Sequence, residues 1–252
     1  MSKVDAKVFK NNVLLPKSLE IITISCNNDD GLALTAQNII SQKKSNILWT
    51  IIDGGNSKLA KMLSLNSAIA ARVLKDQGSG IYNAMNVGLF NAVGEYVMFL
   101  NAGDQIKKNI DLQEITKKLN KLDILFMGYE IKGKAFKPNN FQKFVYKMPT
   151  SHQAIIFKKR VHKKFFYDLN YKIAADFDVL HRLKKSGYSF NIDNTILVSV
   201  EPGGISDIKR SQVLFERLKI IKGFGLQKLL VILSFFYCLS PILRKIIKRI
   251  TN

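Results

Sequence analysis

Residues 76–104 read DQGSGIYNAMNVGLFNAVGEYVMFLNAGD, and their order of turn, helix, strand and acidic turn decides the class of fold. Glycines bound the opening turn, and the spacing of apolar residues predicts a short helix from Tyr82 to Ala92 that Gly94 ends. The unbroken apolar run Tyr96 to Leu100 predicts a strand, and Asn101-Ala102-Gly103-Asp104 a polar turn at its tip. A carboxylate thus stands at the carboxyl end of a buried strand. Open α/β sheets meet their ligands beyond such strand ends, so Asp104 is where a metal or a phosphate-bearing substrate is expected.

The same pattern recurs upstream. Ile21 to Ser25 is a β-branched run ended by Cys-Asn-Asn-Asp-Asp-Gly, and Leu32 to Ser41 follows with helical spacing. Leu48 to Ile52 is the next strand, ended by Asp53-Gly54-Gly55, with a helix from Ser57 to Ser64 and a third strand from Ala70 to Leu74. Alternating strands and helices predict an α/β fold with a mostly parallel central sheet and helices on both faces. No Gly-x-Gly-x-x-Gly follows the first strand and no Gly-Lys-Ser/Thr loop occurs, which argues against dinucleotide-binding and P-loop chemistry. Downstream the pattern is less regular. Strands are expected at Ile124 to Ile131, Ala154 to Phe157, Ser189 to Ile192 and Ile196 to Val200, a basic, aromatic loop from Gly133 to Pro149, and a helix from Ala175 to Lys185 that Gly187 stops.

The chain has 252 residues, 47% of them apolar, enough for a substantial core, and a net charge of +20 that calls for an anionic partner or surface. From Ile131 to Lys172 there are eleven Lys/Arg against the single acid Asp168, and from Asp207 to Asn252 ten against Asp207 and Glu216. Such blocks suit nucleic acid, anionic lipid or a phosphate-rich substrate, or form a solvated lysine surface. The two cysteines, Cys26 and Cys238, are far apart and read as reduced, packed thiols of a cytosolic protein. The start, MSKVDAKVFKNN, has no apolar core of signal-peptide length, so the protein is expected to stay inside the cell.

WTIIDGG (residues 49–55), GIYNAMNVGLFNAVGEYVMFLNAGD (80–104), SHQAIIF (151–157) and AADFDVLHRL (174–183) occur in the order found in the inverting glycosyltransferases of family two. The chain resembles that family over roughly residues 19–206, in the subgroup that builds bacterial surface polysaccharides of the colanic acid and O-antigen type. The resemblance implies a GT-A fold, with residues 1–104 as a nucleotide-sugar-binding half and 105–206 as an acceptor-binding half. It also implies a nucleotide-sugar donor, most commonly UDP-linked, Mn²⁺ or Mg²⁺ as cofactor, and a lipid-linked glycan acceptor on a polyprenyl diphosphate.

Sugar transfer needs a group that holds the nucleotide, a cation to neutralise the departing diphosphate, and a base for the acceptor hydroxyl. The resemblance implies nucleotide-sugar contacts from Ser25, Asn27, Asp53, Tyr82, Asn86, Asn101 and Asp104, with Asp104 also the metal ligand. Asn101 stands where the family usually has the first carboxylate of an Asp-x-Asp-type motif, which leaves Asp104 as the one anionic ligand. Asp176, in Ala-Ala-Asp-Phe-Asp, matches the family's general base, with Asp178, which faces elsewhere on the same helix, as the alternative. His152, Gln153 and Asp178 are expected on the acceptor side, and Gly203-Gly204-Ile205-Ser206 matches a glycine-rich loop after the last strand. Each aspartate also has a plainer reading: a turn cap at Asp53, an Asx turn at Asp104, a helix-dipole carboxylate at Asp176. His152 also suits a packed structural role. Donor identity is where the sequence departs from the family, with Asn56-Ser57-Lys58-Leu59 after the two glycines and Gly78 at a commonly acidic place.

Residues 207–252 lie outside this pattern and read as a basic amphipathic helical tail. Leu229 to Leu243 is fifteen nearly uncharged residues interrupted by Pro241, too short for a membrane span. In ILRKIIKRI the residues Ile242, Leu243, Ile246, Ile247 and Ile250 share one helical face, while Arg244, Lys245, Lys248 and Arg249 share the other. That composition suits an interfacial helix on an anionic inner-membrane surface, giving a cytoplasmic, peripheral protein; a helix pair packed on the domain or in a homodimer is the other reading. A nucleic-acid-binding protein lacks any recognition helix or stacking motif here, so no nucleic acid is expected as partner. An inactive transferase-like scaffold stays open because of Asn101 and Gly78.

Overall fold

The computed structural model describes residues 18–42, 46–66, 69, 71–76, 78, 80–119, 122–140, 148–204, 209–221 and 232. Three strand-helix pairs come first: β1 (Leu19–Ser25) and α1 (Asp29–Gln42), β2 (Ile47–Asp53) and α2 (Lys58–Leu65), β3 (Ala71–Lys75) and α3 (Ile81–Asn91). Then follow β4 (Tyr96–Asn101), β5 (Gln105–Ile106), α4 (Leu112–Lys118), β6 (Ile124–Ile131) and β7 (Lys134–Phe136). A 3₁₀ turn (His152–Ala154) leads into β8 (Ile155–Lys158) and α5 (Lys159–His162), and α6 (Ala175–Lys184), β9 (Phe190–Ser199) and α7 (Arg210–Ile220) complete the order.

The nine strands among the described residues form one sheet, ordered β3-β2-β1-β4-β8-β6-β9-β5, with β7 paired to β6. β3, β2, β1 and β4 are mutually parallel, the half that the alternating pattern predicts. Their register sets Ser25 beside Asp53 and Ile24 beside Asn101, so these side chains end on one edge of the sheet. β8 runs antiparallel between β4 and β6, and β9 is parallel to β6 and antiparallel to β5.

Strand alternation divides the core into two layers, one on each face of the sheet. Ile22, Ile24, Ile52, Val97, Phe99, Ile124 and Phe126 point to the face covered by α3, α5 and α6. Leu19, Ile21, Trp49, Ile51, Met98 and Leu100 point to the other, covered by α1, α2 and α4. α3 lies very close to the sheet, because a Cβ on Gly88 would sit 2.5 Å from Ile22 Cγ2. Each fully buried Ile, Leu or Phe in these layers contributes about 1.5–3 kcal/mol.

The structure departs from the sequence reading at four places. The two short strands expected between Ser189 and Val200 are one strand, β9, because β6 pairs along its whole length and a register shift at Gly128 absorbs the polar Asn194-Thr195 pair as a bulge. The loop expected from Gly133 contains β7, turned back at Lys132 (φ 49°) and Gly133 (φ 75°), with Phe136 stacked on Tyr129 at 5.0 Å. α4 had no expectation attached; its cap is Asp111, which accepts from the Gln113 amide at 2.8 Å. Cys26 is exposed rather than packed, since it falls one residue past β1, where the chain turns over a cleft. Cys238 lies outside the described residues.

α7 is docked on the domain although its sequence falls in the segment read as a tail. Ile220 and Ile221 join the core layer of Phe177, Leu180 and Leu183, and Glu216 is buried. The remainder of that segment, including ILRKIIKRI, lies outside the described residues apart from Ile232. Among the described residues no helix is long and apolar enough to cross a membrane.

Candidate functional site

The carboxyl ends of β1, β2 and β4 and the amino end of α3 enclose a cleft of about 280 Å³, lined among others by Ser25, Cys26, Gly54, Asp76, Gly78 and Asn101. The parallel strands and right-handed crossovers put the cleft there, at the topological edge where open α/β sheets bind ligands. Ser25 is 2% exposed and its hydroxyl has no hydrogen-bond partner; the Asn101 side-chain oxygen Oδ1 is likewise buried and unpartnered. Two unsatisfied polar atoms on neighbouring strand tips cost free energy unless a ligand or water meets them. Both were anticipated as nucleotide-sugar contacts, and both do line the cleft.

Asp53 and Asp104 sit at the expected strand tips, but their carboxylates are engaged by the protein. Asp53 is 1% exposed and accepts from the amides of Gly55 (3.0 Å) and Ser57 (3.3 Å) and from Lys75 Nζ (2.5 Å). Asp104 accepts from the Glu201 amide (2.8 Å) through Oδ1, and from the Asn101 amide (3.0 Å) and Gln153 Nε2 (3.1 Å) through Oδ2. Burial raises its pKa above the ordinary carboxylate range, against the pull of these donors and of nearby His152. The turn that holds it needs Gly103, whose φ of 107° strains any other residue, and Thr35 Oγ1 accepts from the Gly103 amide at 3.0 Å. Asn27, expected as a nucleotide-sugar contact, takes a φ of 50° and stands against Gly55.

Asp76 carries an aspartate into the cleft at the end of β3, where Asn83 Nδ2 donates to it at 2.5 Å. No role was anticipated for it. The signal was present, since Asp76 follows a strand as Asp53 and Asp104 do.

Asp176 is the second residue of α6 and half-buried. Its Oδ1 accepts from the Phe177 amide at 2.7 Å and lies 3.2 Å from the Tyr82 hydroxyl, while Oδ2 lies 4.0 Å from His152 Nδ1. The other ring nitrogen of His152 lies 3.4 Å from Asn101 Nδ2. One imidazole therefore spans from the cleft to Asp176. Burial lowers the pKa of His152, with Asp176 and Asp104 opposing. Gln153 turns away to Asp104, and Asp178, largely buried, is held in an ion pair with Arg182 Nε at 2.8 Å on a different face of the helix from Asp176.

Tyr82 and Asn86, expected along the donor cleft, are turned toward the chain segment that precedes Asp176. The Tyr82 hydroxyl donates to the Ile173 carbonyl at 2.7 Å, and its ring stacks on Tyr167 at 5.3 Å. Asn86 donates to the Tyr167 carbonyl and accepts from the Tyr167 amide, both at 2.9 Å. Arg217, on α7, lies across the Phe177 ring at 5.0 Å, and its Nε is buried without a partner. Sequence reasoning missed Arg217 because it lies past the recognised motifs.

The residues present do not make a preformed divalent-cation site. Among the described residues no three His, Cys, Asp or Glu side chains converge, and both oxygens of Asp104 already accept N–H donors. A hard cation takes six or more oxygens, and of the unpartnered buried atoms among the described residues the cleft offers the Ser25 hydroxyl and the Asn101 side-chain oxygen, neither of them anionic.

The fold is similar to that of TarS from S. aureus, with a TM-score of 0.65 and 14% identity over 89% of this chain; the match spans 44% of the TarS chain. A shorter TarS chain, residues 1–349, has been crystallised with UDP-GlcNAc (TM-score 0.62, 14% identity, 87% of this chain and 71% of that one). The mannosyltransferase PcManGT of Pyrobaculum calidifontis, in complex with GDP-Man and Mn²⁺, gives a TM-score of 0.62 and 14% identity over 82% of this chain and 65% of its own. These likenesses establish a GT-A-like α/β fold. In sequence, an uncharacterized glycosyltransferase of Mycobacterium tuberculosis is 28% identical over 180 residues, 66% of this chain and 68% of its own. A PGL/p-HBAD biosynthesis glycosyltransferase of Mycobacterium bovis is 22% identical over 195 residues, 72% of this chain and 76% of its own. Residues 20–175, well over half of the chain, match the sequence pattern of glycosyl transferase family 2, and the chain belongs to that family.

Proposed function

We propose that the protein moves a sugar from a nucleoside diphosphate donor, a UDP-sugar in the first instance, to a hydroxyl of a polyprenyl-diphosphate-linked glycan in surface polysaccharide synthesis, with inversion at the anomeric carbon. The observation that carries the reading is Asp176, half-buried at the head of α6, with His152 between it (4.0 Å) and Asn101 of the donor cleft (3.4 Å). In the proposed step the acceptor hydroxyl gives its proton to the Asp176 carboxylate as its oxygen bonds to the anomeric carbon. The bond from that carbon to the diphosphate oxygen breaks, and the nucleoside diphosphate leaves with the electron pair. His152 holds the geometry between the two halves of the site and transfers no proton in this scheme.

Ser25 Oγ can donate to a phosphate or ribose oxygen, and Asn101 Oδ1 can accept from a sugar or ribose hydroxyl, which satisfies both orphaned atoms. TarS has been crystallised with UDP and with UDP-GlcNAc, which supports a UDP-type donor here. Mn²⁺ accompanies GDP-Man in the Pyrobaculum enzyme, but the engaged carboxylate of Asp104 gives no ground for routing a step through a cation in this chain. The proposed workplace is the inner face of the cell membrane, a reading supported by the net charge of +20 and the basic C-terminal segment.

A thermal-shift panel of UDP, GDP, CMP and dTDP, with and without Mn²⁺, identifies the nucleotide, since native-state binding raises apparent stability. Asp176→Asn is then expected to keep the nucleotide shift and to lower turnover by about two to four powers of ten. Turnover close to that of the parent would remove Asp176 from the role of base.

A further inference from the structure

Glu216 lies on α7, beyond the end of the family pattern at residue 175, yet it is 6% exposed and tied to the segment that leads into Asp176. Its Oε2 accepts from the backbone amides of Ile173 and Ala174, both at 2.9 Å, and its Oε1 accepts from the amide of Lys172 at 3.1 Å. Gln212, one turn earlier on the same helix, donates to Oε1 at 3.2 Å. Three consecutive amides thus converge on one carboxylate.

The need for such a partner follows from the sequence of α6. Ala174, the residue at its cap position, has no side chain able to accept a hydrogen bond, and no side-chain cap is made there. A helix amino end leaves its first amides without intrahelical partners, and an anion placed there also meets the positive end of the helix dipole. Glu216 takes the amide of Ala174 itself at this cap position, together with the amides of Lys172 and Ile173 that lead into the helix, while the Phe177 amide is met by the Asp176 carboxylate. Bonds to an ionised acceptor are roughly twice as strong as neutral ones, and the carboxylate has been removed from water to make them. From the opposite side Tyr82 holds the Ile173 carbonyl and Asn86 holds Tyr167, so residues 167–174 are pinned between α3 and α7.

We propose that Glu216 is a positioning residue for sugar transfer: by fixing the backbone of residues 172–174 it sets where the Asp176 carboxylate stands relative to the donor cleft. This inference rests on the reading of Asp176 as the general base. Displacing a reacting group by about 1 Å can cost on the order of 100-fold in rate, so a loosened clamp acts on turnover before it acts on nucleotide binding.

The test compares the parent with Glu216→Gln, Glu216→Asp and Gln212→Ala, using whichever of a panel of UDP-, GDP- and dTDP-hexoses the parent turns over fastest. Glu216→Gln is expected to lower kcat by roughly 10- to 100-fold with the nucleotide Kd unchanged. Glu216→Asp, which keeps the charge, recovers part of that loss, and Gln212→Ala, which leaves the three amide bonds intact, behaves as the parent. Placed in the Asp176→Asn background, Glu216→Gln adds no further loss, because the two residues act as one unit. A parental kcat in Glu216→Gln, an equal fall in kcat and nucleotide affinity, or a full additional loss in the double variant overturns the inference. Should Glu216→Gln fail to fold, Glu216→Asp is judged by the same split between kcat and Kd. An active Asp176→Asn would instead sink the base assignment itself, an outcome separate from any behaviour of Glu216.

Discussion

His162 has no exposed surface and packs its ring against Phe157 at 4.3 Å, Phe99 at 5.8 Å and Tyr167 at 5.3 Å. Burial pushes its pKa down to about 4, since the charged ring cannot be hydrated among these aromatics. An unfolded chain holds the proton near the ordinary value of about 6.5, so between that pH and about 4 the unfolded state binds more protons than the folded one. Stability is therefore full above about 6.5 and falls as pH drops through that window, by on the order of 3 kcal/mol in total. Urea unfolding at pH 7.5 and pH 5 is expected to show the loss, and His162→Gln to flatten it; an unchanged slope in the variant would place the acid sensitivity elsewhere. Asp104 invites a second measurement at this scale. Asp104→Asn puts an amide against three N–H donors, each buried mismatch costing about 1–3 kcal/mol, so a lower melting temperature is expected without nucleotide or metal. A variant as stable as the parent that loses only a Mn²⁺-dependent shift would mark Asp104 as a ligand after all. Strand-tip aspartates were legible in the sequence because strand, turn and carboxylate follow one another. What each carboxylate touches was not, because Lys75, Gln153 and Glu201 reach Asp53 and Asp104 only through the fold.

α3 serves both the packing of the sheet and the approach to Asp176. Its apolar side, including Met85 and Leu89, and the bare backbone at Gly88 fasten it to the sheet, and Tyr82 and Asn86 on adjoining turns reach across to residues 167–173. Asn86→Ala removes both bonds to the Tyr167 backbone, and with each worth about 1 kcal/mol the expected destabilisation is about 2 kcal/mol. Turnover is expected to fall with it while the nucleotide shift persists; a loss of nucleotide binding with turnover per bound donor kept would return Asn86 to the donor cleft. The periodic segments up to β4 were readable, since a buried parallel strand is a continuous apolar run and its helix an amphipathic one. β9 was not readable as one strand because a bulge interrupts its pattern with polar Asp193, Asn194 and Thr195. Nothing in the sequence of α7 says where it docks, since its attachment depends on Glu216, whose partners are backbone amides that no sequence pattern displays.

At the scale of the whole molecule the question is where the catalytic body stops and the proposed membrane segment starts. α7 belongs to the body: Ile220 and Ile221 are buried in it, each worth about 1.5–3 kcal/mol, and Glu216 holds the approach to Asp176. Against a typical total stability of about 5–15 kcal/mol, losing the helix is a large fraction of the whole. A chain ending at residue 206 is therefore expected to be unstable and inactive, whereas one ending at residue 225 keeps every contact described for α7. The segment removed by the second truncation carries Arg244, Lys245, Lys248 and Arg249 opposite Ile242, Leu243, Ile246, Ile247 and Ile250. Each Lys or Arg close to an anionic surface contributes about 1 kcal/mol, and the apolar face adds burial in the headgroup region, so reversible attachment is the expected property of this segment. Co-sedimentation with vesicles of mixed neutral and anionic lipid is expected to hold the full chain, to weaken with added salt, and to fail for the chain ending at 225, which still melts cooperatively and still transfers to a soluble acceptor. If that shorter chain sediments like the full one, the membrane reading falls; if it unfolds as the chain ending at 206 does, the removed segment is packed on the catalytic body or on a second copy, and the boundary moves beyond it.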